Sequence, residues 1–473
     1  MVSERPNFII FDIDALRADR LSCYGYGGKT SPNIDKLAEE GTIFLQAISQ
    51  GNWSPTAHGS LFTGMYPYAH GFIDRNVMIN PKSPMLPEII KQANYKTACF
   101  SSGGFVSKEH GFARGCDLFE TNMDKLDTVK DGLLKWISNN KENSFFAFVR
   151  IIDVHASYNP PSRLKKIFCS TDKEIYIGGK KATEIGGNDN FNGIRGKDID
   201  INTEQIQRLS ELYNAGIALA DEKLKTIFDR LKKEGVWENT VIIILADHGE
   251  AFMEHDNPDL PYRHIGHGML SLYDNQIKVP FIFHGPKIPA GVRIKSLVRT
   301  MDLVPTVLSL AGIEHNCNFH GVDLTSFIND EEQEPNLVAF NEFKYHKGAH
   351  IIRSVRTSKW KLIKKVFDMK SANIFNKSNP KKHIKTYVKS AINLILNTEK
   401  RKQKFSTRIE LYNLENDPEE KNNLAEKMPD LVNKFSKEID DFFNDAKNYK
   451  LPETPEVVLS KKTEERLRGM GYL

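Results

Sequence analysis

The sequence contains few cysteines, and their spacing gives no sign that they pair. The 473 residues include only five, none of them in a CxxC pair: Cys23, Cys99, Cys116, Cys169 and Cys317. An odd number of widely scattered cysteines indicates neither a zinc ribbon nor a disulfide framework, because both require a regular cysteine pattern. We therefore expect reduced thiols, as is usual for proteins of the cytosol.

Long apolar runs and an excess of one charge are also missing. No run approaches the ~20 apolar residues that cross a bilayer. The first residues, MVSERPNFIIFDID, lead directly into an apolar strand without the segments of a signal peptide. The 65 Lys and Arg against 61 Asp and Glu leave a net charge of +4, too small to indicate nucleic-acid binding. The sequence thus predicts a cytoplasmic protein with no transmembrane segment and no nucleic-acid partner.

Apolar segments of strand length alternate with helical patterns along most of the chain. A long amphipathic helix is predicted at residues 203–235, and strands are predicted at NFIIF, YKTACFSS, SFFAFVRIID, TVIIILADHG and KVPFIFHG. This alternation predicts a parallel sheet covered by helices on both faces. In such sheets, ligands bind beyond the carboxyl ends of the strands.

The pattern changes after about residue 340, and the length of the chain also suggests two domains. HIIRSVRTSKWKLIKK is typical of an antiparallel hairpin, and the segment from RIELYNLEND onward predicts a strand, a turn and a helix. We predict a catalytic α/β domain at residues 1–345 and an α+β subdomain at residues 346–473. Residues 160–200, rich in Gly, Lys and Asn, are predicted to form a long loop or lid.

A basic insertion at residues 361–408 carries fourteen Lys or Arg against two acids. The favoured interpretation is a solvated surface segment. The alternative is a docking face for an anionic polymer or for lipid head groups.

The stretch NWSPTAHGSLFTG, residues 52–64, places a serine at the start of a predicted helix. Ser54 followed by Pro55 is the arrangement expected of a helix N-cap and the first helical turn. The hydroxyl of Ser54 therefore either caps the helix or is held there as a nucleophile.

Acidic residues follow two of the predicted strands. Asp12 and Asp14 end the first, and Asp247 and His248 end TVIIIL. Carboxylates with one imidazole suit Mg, Mn, Ca, Fe or Zn, and the sequence does not choose among them. A divalent cation favours the alkoxide of a nearby serine and polarises a bound ester, so Ser54 can both cap and attack.

Seven blocks follow one another along the chain: DALRADRLSCYGYGGKTSPNIDKLAEEGTIF, SPTAHGSLFTGMYPYAHG, LADHGEAFMEH, SLYDNQIKVPFIFHGP, RTMDLVPTVLSLAGI, ELYNLENDPEEKNNLA and LRGMGYL. In content and order these blocks resemble the sulfatase branch of the alkaline-phosphatase superfamily along the whole chain. The resemblance implies a three-layer α/β/α sandwich with a smaller C-terminal α+β domain, and one divalent metal ion. It makes Asp14, Asp247 and His248 metal ligands and Ser54 a metal-bound nucleophile.

The nucleophile block departs from the family pattern. Sulfatases convert a Cys or Ser to formylglycine within a C/S-x-P/A-x-R pattern, whereas here the proline is displaced by one and His58 replaces the arginine. We therefore predict an unmodified Ser54, with Thr56 as the weaker candidate. Ala15 stands where a second acid or amide is usual, and SSGGF stands where a Lys-x-His pair is frequent. The resemblance thus leans towards phosphonate and phosphodiester hydrolases.

Further histidines match substrate-contacting positions of the family. His155 or His267 is predicted to protonate the leaving group, since a histidine with an ordinary pKa near 6.5 can act as a general acid. His264 competes with His267 for one family position, and His267 is preferred. His58, Thr56 and His264 are predicted to bind substrate, and Arg17 is predicted to be structural.

The resulting prediction is a metal-dependent hydrolase of sulfate or phosphate (di)esters. The expected substrate is a small-molecule, glycan or lipid-head-group ester. One alternative is a transferase that passes a phospho group to a glycan or lipid acceptor. The other is a non-catalytic binding protein on the same fold.

Overall fold

The computed structural model describes residues 5–121, 126–185, 201–255, 265–268, 271–329, 337–345, 350–368, 405–448 and 454–469. The strands are β1 Asn7–Ile13, β2 Thr42–Ile48, β3 Lys96–Phe100, β4 Leu118–Glu120, β5 Phe145–Ile151, β6 Tyr176–Ile177, β7 Lys180–Lys181, β8 Thr240–Leu245, β9 Ala251–Phe252, β10 Ile265–Gly266, β11 Lys278–Val279, β12 Phe281–His284, β13 Val292–Arg299, β14 Ala339–Tyr345, β15 His350–Arg356, β16 Trp360–Asp368 and β17 Phe405–Asn413. The helices are α1 Pro32–Glu39, α2 Ser54–Thr63, α3 Pro67–His70, α4 Leu86–Gln92, α5 Leu126–Asn140, α6 Ser162–Phe168, α7 Thr203–Lys233, α8 Asp274–Ile277, α9 Leu303–Leu310, α10 Thr325–Asn329, α11 Pro429–Asn448 and α12 Lys461–Gly469. None of the helices in these ranges is long and apolar enough to cross a membrane.

A large sheet forms the centre of the protein. Its order is β11-β2-β12-β8-β1-β5-β3-β4, and β13 pairs with β2. Strands β1, β5 and β8 are buried along their whole length. Alternate residues of β1 pack into two separate cores, one with α1, α5 and α7 and the other with α2, α4 and α9. The predicted three-layer α/β/α architecture is confirmed.

The predicted parallel sheet is in fact mixed. Strands β1, β3, β4, β5 and β8 run parallel, but β12 is antiparallel to both of its neighbours, β8 and β2. The reason is the connection: β12 begins at Phe281 opposite Leu245, the last residue of β8. The chain therefore re-enters the sheet at the edge where it left, and a strand that returns this way runs antiparallel.

A second, four-stranded antiparallel sheet has the order β14-β15-β16-β17. Helix α11 packs on it, with Phe435 and Ile439 against Val355 and Leu362. The predicted hairpin and the predicted strand–turn–helix are thus confirmed. Strand β14 begins at Ala339, so this sheet starts before the boundary predicted after residue 345.

The C-terminal segment, residues 454–469, lies on the large domain rather than on the small sheet. The amide of Val457 donates to the carbonyl of Asn76 over 2.8 Å, and Glu456 forms a bridge with Val77. Leu467 of α12 is fully buried in the core that also contains α2 and α4. The end of the predicted second domain therefore belongs structurally to the first.

Two further predictions lie partly beyond the described ranges. In the basic insertion, residues 361–368 and 405–408 lie in β16 and β17, and residues 369–404 lie outside the described residues. In the predicted lid, the described part contains helix α6 and the β6–β7 hairpin, so it is not a plain loop. Residues 186–200 lie outside the described residues.

Candidate active site

Three predicted metal ligands meet at the carboxyl edge of the large sheet. Asp14 follows β1, and Asp247 and His248 follow the neighbouring strand β8; all three are buried. One ligand atom from each lies within 4.8 Å of the others. Their convergence follows from the sheet, because the carboxyl ends of parallel strands share one edge.

The chemistry of this cluster fits a divalent cation. Within the described part of the chain, Asp14 Oδ1 and Asp247 Oδ2 are buried without a hydrogen-bond partner. A buried carboxylate oxygen without a donor is costly, and a cation removes that cost. His248 Nδ1 donates to the carbonyl of Gly249 over 3.0 Å, which leaves Nε2 as the nitrogen suited to bind a cation.

Arg150, on β5, was missed by the sequence reasoning. Its fully buried guanidinium forms an ion pair with Asp14 Oδ2 and donates from Nη1 to the carbonyl of Gly103 over 2.7 Å. Arg150 thereby fixes the orientation of the first predicted ligand. The signal was an arginine inside the otherwise apolar segment SFFAFVRIID, since a buried guanidinium is rarely without a carboxylate partner.

Ser54 does not cap helix α2, as one interpretation held. Trp53, in extended backbone conformation, is the N-cap residue, and Ser54 is the first residue of the helix. The hydroxyl is therefore not needed at the helix end. Ser54 Oγ lies 3.4 Å from His248 Nε2, and the side chain is fully buried. The helix start adds partial positive charge beside this hydroxyl.

His58 was predicted to bind substrate, but both of its ring nitrogens are engaged within the protein. The ring is fully buried; Nδ1 donates to the carbonyl of Ser54 over 2.9 Å and Nε2 to Asp12 Oδ2 over 2.7 Å. Burial opposes the charged ring, but the carboxylates of Asp12 and Asp247 outweigh it and raise the pKa of His58. His58 is thus a buried cation beneath the nucleophile.

Thr56 also turns away from the ligand cluster. Its hydroxyl donates to the carbonyl of Trp53 over 3.2 Å at the start of α2. The side chain packs against Gly51, where an added Cβ would lie 2.7 Å from Thr56 Cβ. This arrangement gives Thr56 a role at the helix end and does not support the predicted contact with substrate.

His155 and His267 lie side by side next to the cluster, whereas His264 lies outside the described residues. The centroid of the His267 ring lies 5.0 Å from that of His155 and 4.1 Å from that of His248. The two side chains are 6% and 3% exposed, against 0% for Ser54. His155 is therefore the most exposed of the predicted site residues within the described ranges, and His267 and Thr56 come next at 3% each.

Glu250 holds His267 and is a second residue that the sequence reasoning did not assign. His267 Nδ1 donates to Glu250 Oε1 over 3.0 Å, and the Tyr158 hydroxyl donates to Oε2 over 2.8 Å. Burial, together with the nearby histidines His248 and His155, lowers the pKa of His267 well below its ordinary value. His267 is therefore a neutral imidazole. His155 Nδ1 donates instead to the carbonyl of Ala156 over 2.6 Å.

The positions at which the sequence departs from the family pattern have distinctive backbone conformations. Ala15 has a φ of +61°, and its amide donates to Asp247 Oδ1 over 3.2 Å, so the backbone orients this ligand. In SSGGF, Gly103 and Gly104 both have positive φ, which favours glycine. Arg17 is paired with Asp19 and Glu254, which agrees with its predicted structural role.

Comparisons with known sequences match most of this chain to sulfatases. The pattern described as "Sulfatase" matches residues 6–313, and that described as "N-sulphoglucosamine sulphohydrolase, C-terminal" matches residues 267–406. An N-acetylglucosamine-6-O-sulfatase of Bacteroides thetaiotaomicron is 22% identical over 89% of this chain and 88% of its own length. A Delta 4,5-hexuronate-2-O-sulfatase of the same organism is 26% identical over 70% and 73%.

Solved structures show the same fold. One, in complex with its substrate D-glucosamine-2-N,6-O-disulfate, has a TM-score of 0.70 at 18% identity and covers 95% of this chain and 99% of its own. The phosphonate monoester hydrolase of Agrobacterium radiobacter has a TM-score of 0.68 at 17% identity, with coverage of 93% and 96%. The chain therefore belongs to the sulfatase family of the alkaline-phosphatase superfamily, the members of which are sulfuric ester hydrolases that bind a divalent metal.

Proposed function

We propose that this enzyme hydrolyses a sulfate or phosphate ester with Ser54 as an unmodified nucleophile. The observation that carries the proposal is the position of Ser54 Oγ, buried and 3.4 Å from His248 Nε2 in the ligand cluster. His58 stands where the formylglycine pattern has an arginine, and its two ring nitrogens donate to the carbonyl of Ser54 and to the carboxylate of Asp12. The modified form would thus lack the guanidinium that its pattern provides.

Asp14, Asp247 and His248 would hold the cation. Such an ion favours the alkoxide of a nearby serine and polarises the ester oxygen. Ser54 Oγ then attacks the sulfur or phosphorus in line with the leaving oxygen, at the positively polarised start of α2. Water later cleaves the covalent ester on Ser54 and restores the hydroxyl.

Among the two adjacent histidines, we assign proton donation to His155. A neutral His267 carries its one ring proton on Nδ1, which donates to Glu250. Its Nε2 therefore has no proton and cannot protonate a leaving alkoxide. His267 serves instead as a hydrogen-bond acceptor that orients substrate or water. The proposal thus favours His155 as the proton donor, through Nε2, since Nδ1 of His155 donates to the carbonyl of Ala156.

We further propose a sugar ester as the substrate. The support is the activity of two relatives, an N-acetylglucosamine-6-O-sulfatase and a Delta 4,5-hexuronate-2-O-sulfatase.

The proposal is tested with aryl sulfate, aryl phosphate and aryl phosphodiester assayed side by side. We expect turnover of at least one sulfate or phosphodiester substrate, loss of that turnover after chelation, and recovery on adding Mn²⁺ or Ca²⁺. The measurement is kcat/KM for each ester with wild-type protein. Turnover that survives complete metal removal contradicts the proposed site, and a cation-loaded protein inert towards all three esters favours the binding-protein alternative.

Replacement of Glu250 tests the role assigned to His267. Because a carboxylate on Nδ1 orients the ring, Glu250→Gln is expected to lower kcat by about tenfold to a hundredfold. Steady-state kinetics measure the effect. Tyr158→Phe removes only the hydroxyl that donates to Glu250 Oε2, so it should lower kcat by less than Glu250→Gln does. In a protein that already carries His267→Ala, the second substitution Glu250→Gln should lower kcat no further. Additive losses would show that Glu250 acts independently of His267.

A further inference from the structure

The C-terminal segment holds the loop that follows β3, residues 101–116, which we call the β3 loop. Thr463 Oγ donates to the carboxylate of Glu109 over 2.9 Å. Burial alone would raise the pKa of Glu109, but a backbone hydrogen bond of its own amide and the hydroxyls of Ser107, Ser460 and Thr463 lower it to about 2. With Leu467 buried in the large core, α12 is fixed against the β3 loop at more than one point.

Arg466 of α12 lies against the start of the same loop. A Cβ added to Gly103 would lie 2.9 Å from Arg466 Cδ and closer still to Nη1. Gly103 has a φ of +89°, a conformation that side-chain-bearing residues rarely adopt. The side chain of Arg466 therefore fills the space that a side chain at residue 103 would take.

Gly103 also contacts Arg150, which lies between the β3 loop and the candidate metal centre. Its carbonyl accepts the 2.7 Å hydrogen bond from Arg150 Nη1, and Arg150 pairs with Asp14 Oδ2. The position of this carbonyl thus sets where the guanidinium, and with it the Asp14 carboxylate, can lie. A continuous series of contacts runs from α12 through Gly103 and Arg150 to Asp14.

We propose that Arg466 is a positioning residue for the metal ligand Asp14. By packing against Gly103, its side chain restricts the β3 loop and keeps the Gly103 carbonyl in reach of Arg150. The role rests on the proposed function in one respect, namely that Asp14 binds a cation. It gives helix α12, which the reaction itself does not use, a task at the site.

The test measures cation affinity of the metal-free full-length protein by calorimetric titration with Mn²⁺ and, separately, Ca²⁺. Groups that orient a ligand typically change metal affinity by tenfold or more, and Arg466 acts one contact further out, so Arg466→Ala is expected to weaken binding by about three- to tenfold. Arg468→Ala, on the same helix but exposed, is the matched control and should bind as wild type does. Arg466→Met, which keeps the packed stem without the charge, should restore the affinity.

Thermal unfolding of each metal-free variant separates positioning from general stability. We expect Arg466→Ala and Arg468→Ala to unfold at similar temperatures. Wild-type affinity in Arg466→Ala, equal losses in both alanine variants, or an Arg466→Met variant as weak as alanine would overturn the inference. If the wild type itself binds neither cation, the proposed metal site fails, and this inference fails with it.

Discussion

Ser54→Ala is expected to lower kcat/KM by roughly ten-thousand-fold or more, since removal of a nucleophile costs this much or more in well-studied hydrolases. The hydroxyl is fully buried in α2, 3.4 Å from His248, and alanine at this position removes only one oxygen atom. The helix and the ligand cluster should therefore persist. Steady-state kinetics with the preferred aryl ester measure the loss, and the peptide mass around residue 54 reports whether the wild type carries serine or formylglycine.

Thr56→Ala is the matched control for this experiment. Its hydroxyl supports the start of the same helix, so we expect a loss of about 1 kcal/mol in stability and nearly full activity. If Thr56→Ala is the inactive variant and Ser54→Ala is active, the nucleophile has been misassigned. A formylglycine mass at residue 54 in active protein would overturn the unmodified nucleophile while leaving the position correct.

His58→Gln is expected to destabilise the metal-free protein by about 3–5 kcal/mol, the usual cost of leaving a buried charge without its partner. His58 donates to Asp12 Oδ2 over 2.7 Å and lies 3.5 Å from Asp247 Oδ2, and all three side chains are fully buried. Without the positive charge of His58, the buried carboxylates of Asp12 and Asp247 repel each other more strongly. Urea unfolding measures the change, and added Mn²⁺ should recover part of it because a cation replaces the lost positive charge.

His70→Gln separates the charge of His58 from the loss of any buried ring. His70 is also fully buried and contacts α2 through Ser60 Oγ at 3.2 Å, but burial lowers its pKa to about 3, so it is neutral. We expect a loss of about 1–2 kcal/mol, typical of a broken neutral hydrogen bond, with no recovery on adding Mn²⁺. Equal losses in both variants would contradict a charged His58.

The residues that converge at strand ends were predictable, and those that act beneath them were not. Asp14 and Asp247 follow apolar strands, and the strand-end rule brings them together without knowledge of any contact. The sequence placed His58 correctly on α2, but one side of this helix start faces the site and the other side is buried in the protein. Only packing shows that its ring faces Asp12 beneath the nucleophile rather than the substrate.

Partners distant in sequence account for the other differences. Arg150 pairs with Asp14 across 136 residues, and Glu250 with Tyr158 across 92, so no local pattern identifies either pair. The direction of β12 depends on where the preceding connection re-enters the sheet, and hydrophobic patterning carries no such information. The return of residues 454–469 to the large domain likewise depends on tertiary contacts of Leu467.

The complete burial of the ligand cluster bears on how fast the enzyme exchanges its cation. Ser54, Asp14, Asp247 and His248 are fully buried, so neither a hydrated ion nor a chelator reaches them without a local opening of the protein. Such openings have their own rate. If opening limits exchange, the rate of metal loss is independent of chelator concentration above a modest value, and the half-life of the loaded enzyme reports how often the site opens.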